Sequence, residues 1–456
     1  MVKIIFGLAQ SFQEAEKEFR KYSNENLDKQ AEIMRKPTKS CTLLLTALFL
    51  ASCGGGSSTP PIVEVDSTPP PPPSGCTSNC GNDTTYYGDY SDAVEYIMQD
   101  GFYTQALVIY KDGELLREDY RDITGNEATA VITKQTALTE QQIQDYYAYN
   151  DEYDKTGTWS VTKSFMSILV GIAIDNGFIQ SLEQRSDDFI TEWDGRSQGQ
   201  MITIEHLLDH RSGLQVMCSN NYSSYEYFEC QENSDGGTIN YLHDQTTPCI
   251  NRSLYPSTTP PPFWNYDRDG SWRQQVHIYN NCDTQILGEI LTRATGMDVS
   301  EFADRYLFSQ LGIQDVSWWK DMVGNTLSYC CVEISAKDQA KIGQMILDND
   351  GSIVSREFID GIDTSTRYSR SFRSYNDWIM MNGFDLNFIL MHKEKNMVIV
   401  RSSLYESVTE YDGTRSMNYQ LGTPEWDSNF PASLPQGLAM EGVDVDMIGE
   451  LISKID

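Results

Sequence analysis

The sequence predicts an α/β (α+β) domain in which an antiparallel sheet is flanked by helices and carries a mainly helical subdomain. Three observations predict it. Runs rich in β-formers read as hairpins near both ends of the folded region. A long apolar helix lies between them. Amphipathic helices occupy the middle and close the chain.

The elements follow in chain order. Ala93, Tyr96, Ile97 and Met98 lie in a helix-like stretch. It precedes QALVIYKDGELLREDY (105–120), two β-rich runs around Lys111-Asp112-Gly113, a hairpin turn. From Ser160 to Asn176 the chain reads SVTKSFMSILVGIAIDN, an apolar helix with Gly177 as its stop. Residues 283–295 carry Ile286, Leu287, Ile290 and Leu291 on one face, with Gly296 after them. Residues 336–347 read similarly. FILMHKEKNMVIVRSS is a second hairpin turning at Lys393 to Asn396, and VDMIGELISKI is a closing helix.

The front of the chain reads as address rather than fold. Arg35, Lys36 and Lys39 form a basic n-region, Cys41 to Ala51 an apolar run, and small residues lead to Cys53. The run is too short to span a bilayer as a mature helix. Leu50-Ala51-Ser52-Cys53 resembles a bacterial lipobox, which implies lipidation of Cys53 and a membrane anchor. Met34 stands just before this signal, so 1–33 is expected to be a start-site extension and 34–52 the lipoprotein signal peptide. Residues 53–85, rich in Gly, Ser and Pro, form a tether, and 86–456 the folded domain. The expected location is the bacterial cell envelope, on the periplasmic face of the outer membrane.

Of 10 cysteines, eight lie beyond the signal and lipobox, and their even number in an exported chain points to disulfides. Cys76 with Cys80 and Cys218 with Cys230 are locally plausible pairs. Cys249 with Cys282 and the adjacent Cys330 with Cys331 are left over, and the connectivity stays open. The formal net charge of −32 excludes a nucleic-acid partner, which needs a basic face. No metal and no cofactor is expected. His206 and His210 stand four apart but lack an H-E-x-x-H pattern and read as packing. The oligomeric state stays open.

Ser160-Val161-Thr162-Lys163 carries the chemistry. Residues three apart share a helical face, so the lysine reaches the serine hydroxyl. That hydroxyl needs a base before it becomes a nucleophile, and an apolar surrounding strips a lysine of its charge. Alone, the motif also fits an N-cap serine followed by an ordinary lysine.

WSVTKSFMSILVGIAIDNG resembles the active-site helix of the serine β-lactamase and penicillin-binding-protein superfamily. The nearest likeness is to class C β-lactamase-related hydrolases, which include esterases, D-amino-acid amidases and 6-aminohexanoate-dimer hydrolases. Three further segments agree in order: ITIEHLLDHRSGL (202–214), Tyr279-Asn280-Asn281 with the following ILGEILTRATGM, and AKDQAKIGQMIL (336–347). The resemblance implies a β-lactamase/transpeptidase-like fold. It makes Ser160 the acylated nucleophile, Lys163 its proton acceptor or electrostatic partner and Tyr279 the second acid/base, with the choice of Lys163 or Tyr279 as the base in acylation left open and Asn281 orienting Lys163 or a substrate amide. The oxyanion hole would combine the Ser160 N–H with that of Phe384 or Asp385.

The third family motif is altered. Where such chains carry K-T-G or H-x-G, this one has Gly383-Phe384-Asp385-Leu386-Asn387. Lys155-Thr156-Gly157 precedes Ser160 and cannot serve there. Asp385 would oppose an anionic carboxylate. We assign Tyr222 and Tyr225, with Gly383 and Asn387, to substrate binding. The expected function is a serine hydrolase acting on a small-molecule ester or amide. The rival readings are a D-amino-acid peptidase or β-lactamase of the envelope, and a catalytically weak binding protein.

Overall fold

Seven strands form one antiparallel sheet whose two faces are both apolar, and this fixes where everything else packs. The computed structural model describes residues 90–134, 151–215, 244–255, 277–321, 323–383, 386–403, 410–411, 414–415 and 445–455. The chain divides into two units, Met1–Gly81 and Asn82–Asp456, and every described residue lies in the second. The predicted signal, lipobox and tether therefore lie outside the described residues.

The first hairpin forms as read, from β1 (Thr104–Lys111) and β2 (Glu114–Tyr120). Asp112 and Gly113 turn the corner with φ of 54° and 80°, the pair of positive values that matches strand twist in a two-residue turn. A three-stranded sheet comes from β3 (Lys155–Gly157), β4 (Ser317–Trp318) and β5 (Val332–Ser335), in the order β3-β5-β4. The main sheet is completed by β6 (Tyr368–Ser369), β7 (Phe372–Tyr375), β8 (Trp378–Asn382), β9 (Phe388–His392) and β10 (Met397–Ser403). Its order is β2-β1-β10-β9-β8-β7-β6, so the first hairpin docks beside the last strand. Neighbouring strands run antiparallel throughout.

Side chains alternate across the central strands. Ala106, Val108, Ile389, Met391, Val398 and Val400 join the larger core. Leu107, Ile109, Phe388, Leu390 and Ile399 face the other way. A strand buried on both sides reads as a continuous apolar run, which is what VIV and FILM are.

Helices cover both faces. On one side α1 (Ser91–Ile97) and the last helix, α6 (Val445–Ile455), bury Ala93, Ile97, Met447, Ile448 and Leu451. On the other lie α2 (Val161–Asp175), α4 (Asn281–Thr295) and α5 (Ala336–Asp348). Between α2 and α4 runs a short helix, α3 (Ile204–Leu208). A Cβ on Gly343 of α5 would stand 2.7 Å from Val398, so a glycine lets this helix lie directly on β10.

The left-over cysteines are bridged, Cys249 to Cys282 and Cys330 to Cys331. Cys76, Cys80, Cys218 and Cys230 lie outside the described residues. None of the described helices is long and apolar enough to cross a membrane.

Candidate active site

The setting of Ser160 begins two residues earlier. Thr158 is fastened to β5, its N–H and Oγ1 both donating to the Val332 carbonyl at 2.8 and 2.9 Å. Trp159 then adopts φ +50°, a left-handed conformation that costs a non-glycine residue about 1 kcal/mol or more. That sharp turn sets Ser160 at the head of α2. Ser160 occupies the N-cap position, yet its side chain caps nothing. The hydroxyl instead lies 2.9 Å from Lys163 Nζ.

Lys163 is 1 % exposed. Its Nζ donates to the Ser160 Oγ and, at 2.7 Å, to the Tyr329 carbonyl. Burial holds its pKa well below the ordinary lysine value, and the nearby Arg373 guanidinium lowers it further. A neutral amine can give one N–H to a carbonyl and turn its lone pair toward a hydroxyl. The alternative of a capping serine beside an ordinary lysine does not describe this pair.

Tyr279 is brought to the same place. Lys163 Nζ lies 4.9 Å from the centroid of its ring, and the Arg373 guanidinium 5.6 Å from it. The ring stacks on His210 at 4.8 Å with planes 2° apart, and meets Tyr368 edge-on at 6.2 Å. His210 Nδ1 accepts the Asn280 N–H at 2.8 Å. The histidine is therefore the neutral Nε2–H tautomer, and burial keeps its pKa well below the usual histidine range. His277 is pushed down to about 4, again chiefly by burial, with its ring 5.9 Å from His210.

The His-Arg-Ser-Gly-Leu stretch thus holds the Tyr279 loop. Besides the His210 contact, Ser212 Oγ donates to Asp283 at 2.7 Å. Burial raises the pKa of that carboxyl well above the usual range, against the opposing hydrogen bond. Cys282, at the first turn of α4, is tied to Cys249. The packing role read for His206 and His210 divides. His206 caps α3 through Thr203, whereas His210 backs the Tyr279 ring.

Asn281 opens α4. Its Oδ1 is buried and has no hydrogen-bond partner among the described residues, Lys163 included. Gly383 lies just past the end of β8. A Cβ there would stand 2.3 Å from the Thr158 carbonyl and 3.4 Å from the Ser160 nitrogen. The Ser160 N–H itself meets no acceptor among the described residues. Asn387 is buried. Its carbonyl accepts the Gly383 N–H at 2.7 Å and its Oδ1 accepts the Ser403 N–H at 2.8 Å. Asn387 thereby shapes the Gly383 turn, with its side-chain oxygen bonded to β10. Phe384, Asp385, Tyr222, Tyr225 and Cys53 lie outside the described residues.

Several site residues have no motif around them. Arg373 sits in a strand that reads as ordinary, and Tyr329 meets Lys163 through its main-chain carbonyl. Neither type of contribution leaves a mark in residue spacing. Among the described residues no cluster of His, Cys, Asp and Glu could hold a metal ion.

Residues 154–325 match the Beta-lactamase family model. No curated protein sequence matches the chain. Among solved structures it is similar to EstCE1, a hydrolase with promiscuous acyltransferase activity. That likeness has 10 % identity, covers 71 % of this chain and 94 % of that one, and has a TM-score of 0.51. A Bacillus anthracis protein assigned as a 6-aminohexanoate-dimer hydrolase shares 19 % identity over 66 % of this chain and 74 % of its own, with a TM-score of 0.48. A penicillin-binding protein from Bacillus halodurans shares 14 % over 70 % and 95 %, with a TM-score of 0.46. The match to the family model spans the helix that bears Ser160 and Lys163 and the loop that bears Tyr279, so the segment 154–325 is similar to the Beta-lactamase family across the whole candidate site.

Proposed function

We propose that the protein hydrolyses a small-molecule ester or amide through an acyl-enzyme at Ser160. One observation carries this reading: the Ser160 hydroxyl caps no helix N–H and lies 2.9 Å from a fully buried lysine whose charged form is disfavoured. Neutral Lys163 takes the hydroxyl proton as Oγ attacks the substrate carbonyl. The Ser160 N–H receives the developing oxyanion, with a second donor from Phe384 or Asp385. As the tetrahedral intermediate collapses, the bond to the leaving group breaks. The alcohol or amine departs with the proton, relayed from Lys163 through Tyr279. Water then attacks the acyl-enzyme, giving up its proton to the same pair; the Oγ–acyl bond breaks, Ser160 takes that proton back and the acid leaves. Asn281, with its unpartnered Oδ1, is suited to accept from a substrate amide N–H.

We further infer that this chemistry takes place at the cell envelope, with the domain held by lipid on Cys53. The basic n-region, apolar run and LASC sequence support that placement.

The test is intact-mass labelling with a fluorophosphonate, beside turnover of a nitrophenyl ester panel. The expected result is one adduct and measurable turnover, both lost in Ser160→Ala. A folded wild-type protein that neither labels nor turns over any ester contradicts the proposal and moves the chain to the binding-protein reading.

A further inference from the structure

Cys330 and Cys331 are adjacent and joined to each other. A disulfide stabilises a fold mainly by closing a loop in the unfolded chain, and more so for longer loops. The Cys249–Cys282 bridge, with a sequence separation of 33, does that; the Cys330–Cys331 bridge, with a separation of 1, closes almost nothing. Its effect must therefore be local. It ties two neighbouring side chains into a small ring that includes the peptide bond between them, which removes most of the torsional freedom of that unit.

What that rigid unit holds is the base. The residue before it, Tyr329, presents the carbonyl that accepts Lys163 Nζ at 2.7 Å. The residue after it, Val332, donates its N–H to Thr162 Oγ1 at 3.2 Å and accepts from Thr158 through its carbonyl. Thus the bridge lies between contacts to residues 158, 162 and 163, all around the head of α2. Its own surroundings are fixed as well. Both cysteines are at most 2 % exposed. The Cys330 carbonyl accepts from Trp318 Nε1 at 3.2 Å, and the Tyr329 hydroxyl donates to Gln245 at 2.7 Å. Cys331 adopts φ +77°, a conformation that a free cysteine would tend to leave.

We propose that the Cys330–Cys331 disulfide is a positioning clamp for Lys163. It immobilises the Tyr329 carbonyl, so that one amine N–H is always taken and the lone pair faces Ser160. This rests on the reading of Lys163 as the base. Neither cysteine contacts substrate; the bridge acts through Tyr329.

Two full-chain variants test it. Cys330→Ala/Cys331→Ala removes the bridge and leaves a side chain at the left-handed position. Cys330→Ala/Cys331→Gly removes it and permits that backbone at no steric cost, so folding is retained. Ester turnover is measured against pH for both, with the melting temperature alongside. The clamp predicts a fall in kcat of about tenfold to a hundredfold at unchanged KM in each variant. It also predicts that the acid limb of the profile moves up toward the ordinary lysine range, as water reaches Nζ. Unchanged kcat and an unmoved limb, whatever happens to the melting temperature, overturn the clamp while leaving the hydrolase reading intact. A kcat loss with an unmoved limb also overturns it, since that reports general loosening. Absence of turnover in the wild type overturns both.

Discussion

Lys163 is the residue on which the site turns, and its position costs the fold stability. An unfolded chain at neutral pH carries this lysine protonated, whereas burial disfavours the ammonium in the folded state. The unfolded state therefore binds more protons between the lowered pKa and the ordinary one, and stability from this group rises with pH across that window. At neutral pH the lysine is a net penalty. Lys163→Met fills the same apolar space without an amine. It should raise the melting temperature while cutting turnover by about a thousandfold or more, measured by calorimetry and ester hydrolysis on one sample. A variant both inactive and less stable would mean the amine is not held neutral. This pair was legible in the sequence, because a lysine inside SVTKSFMSILVGIAI needs a reason to be there. Arg373, the Tyr329 carbonyl and His210 were not legible as site residues. Their contributions come from strands and loops brought together by tertiary packing, and a main-chain carbonyl has no residue type to betray it.

At the scale of elements, the strongly periodic segments could be read and the short ones could not. The central helix, the two outer hairpins and the helices at 281–295, 336–348 and 445–455 form where period and turn residues place them. The strands β6 and β7 and the three-stranded sheet β3-β5-β4 were missed, being two to four residues long. Such short strands carry little alternation and depend on their neighbours for pairing. LysThrGly at 155–157, which cannot serve as the third motif, turns out to be the strand that delivers the chain to Ser160. Gly383 was identified from its motif position, and the structure supplies the reason: any Cβ there meets the Thr158 carbonyl. Gly383→Ala should therefore push the end of β8 away from the head of α2. The expected result is a fall in kcat of about tenfold to a hundredfold, because the oxyanion site is spread. A nitrophenyl ester assay checks this, and an unchanged kcat would remove Gly383 from the site.

For the whole molecule, the two-faced sheet explains why helices must lie on both sides, and why α1 and α6, the first and last described helices, meet on one of them. The predicted antiparallel sheet flanked by helices is what forms. The net charge of −32 acts at this scale too. Self-repulsion among like charges opposes the compact state and is screened by salt. Raising ionic strength from about 0.01 M to about 0.15 M shortens the screening length from about 30 Å to about 8 Å. The melting temperature should rise over that range, and a fall would mean that attractive ion pairs outweigh the repulsion. The proposed chemistry rests on neutral Lys163 deprotonating Ser160. The most direct test is the pH dependence of the fluorophosphonate labelling rate of the wild-type protein. With the folded-state pKa lowered, the reactive neutral amine accumulates as pH rises through that lowered value. The predicted rate therefore reaches its plateau well below the ordinary lysine value of 10.5. A rate that climbs only as pH approaches the ordinary lysine range would show a charged Lys163 at neutral pH and contradict the mechanism.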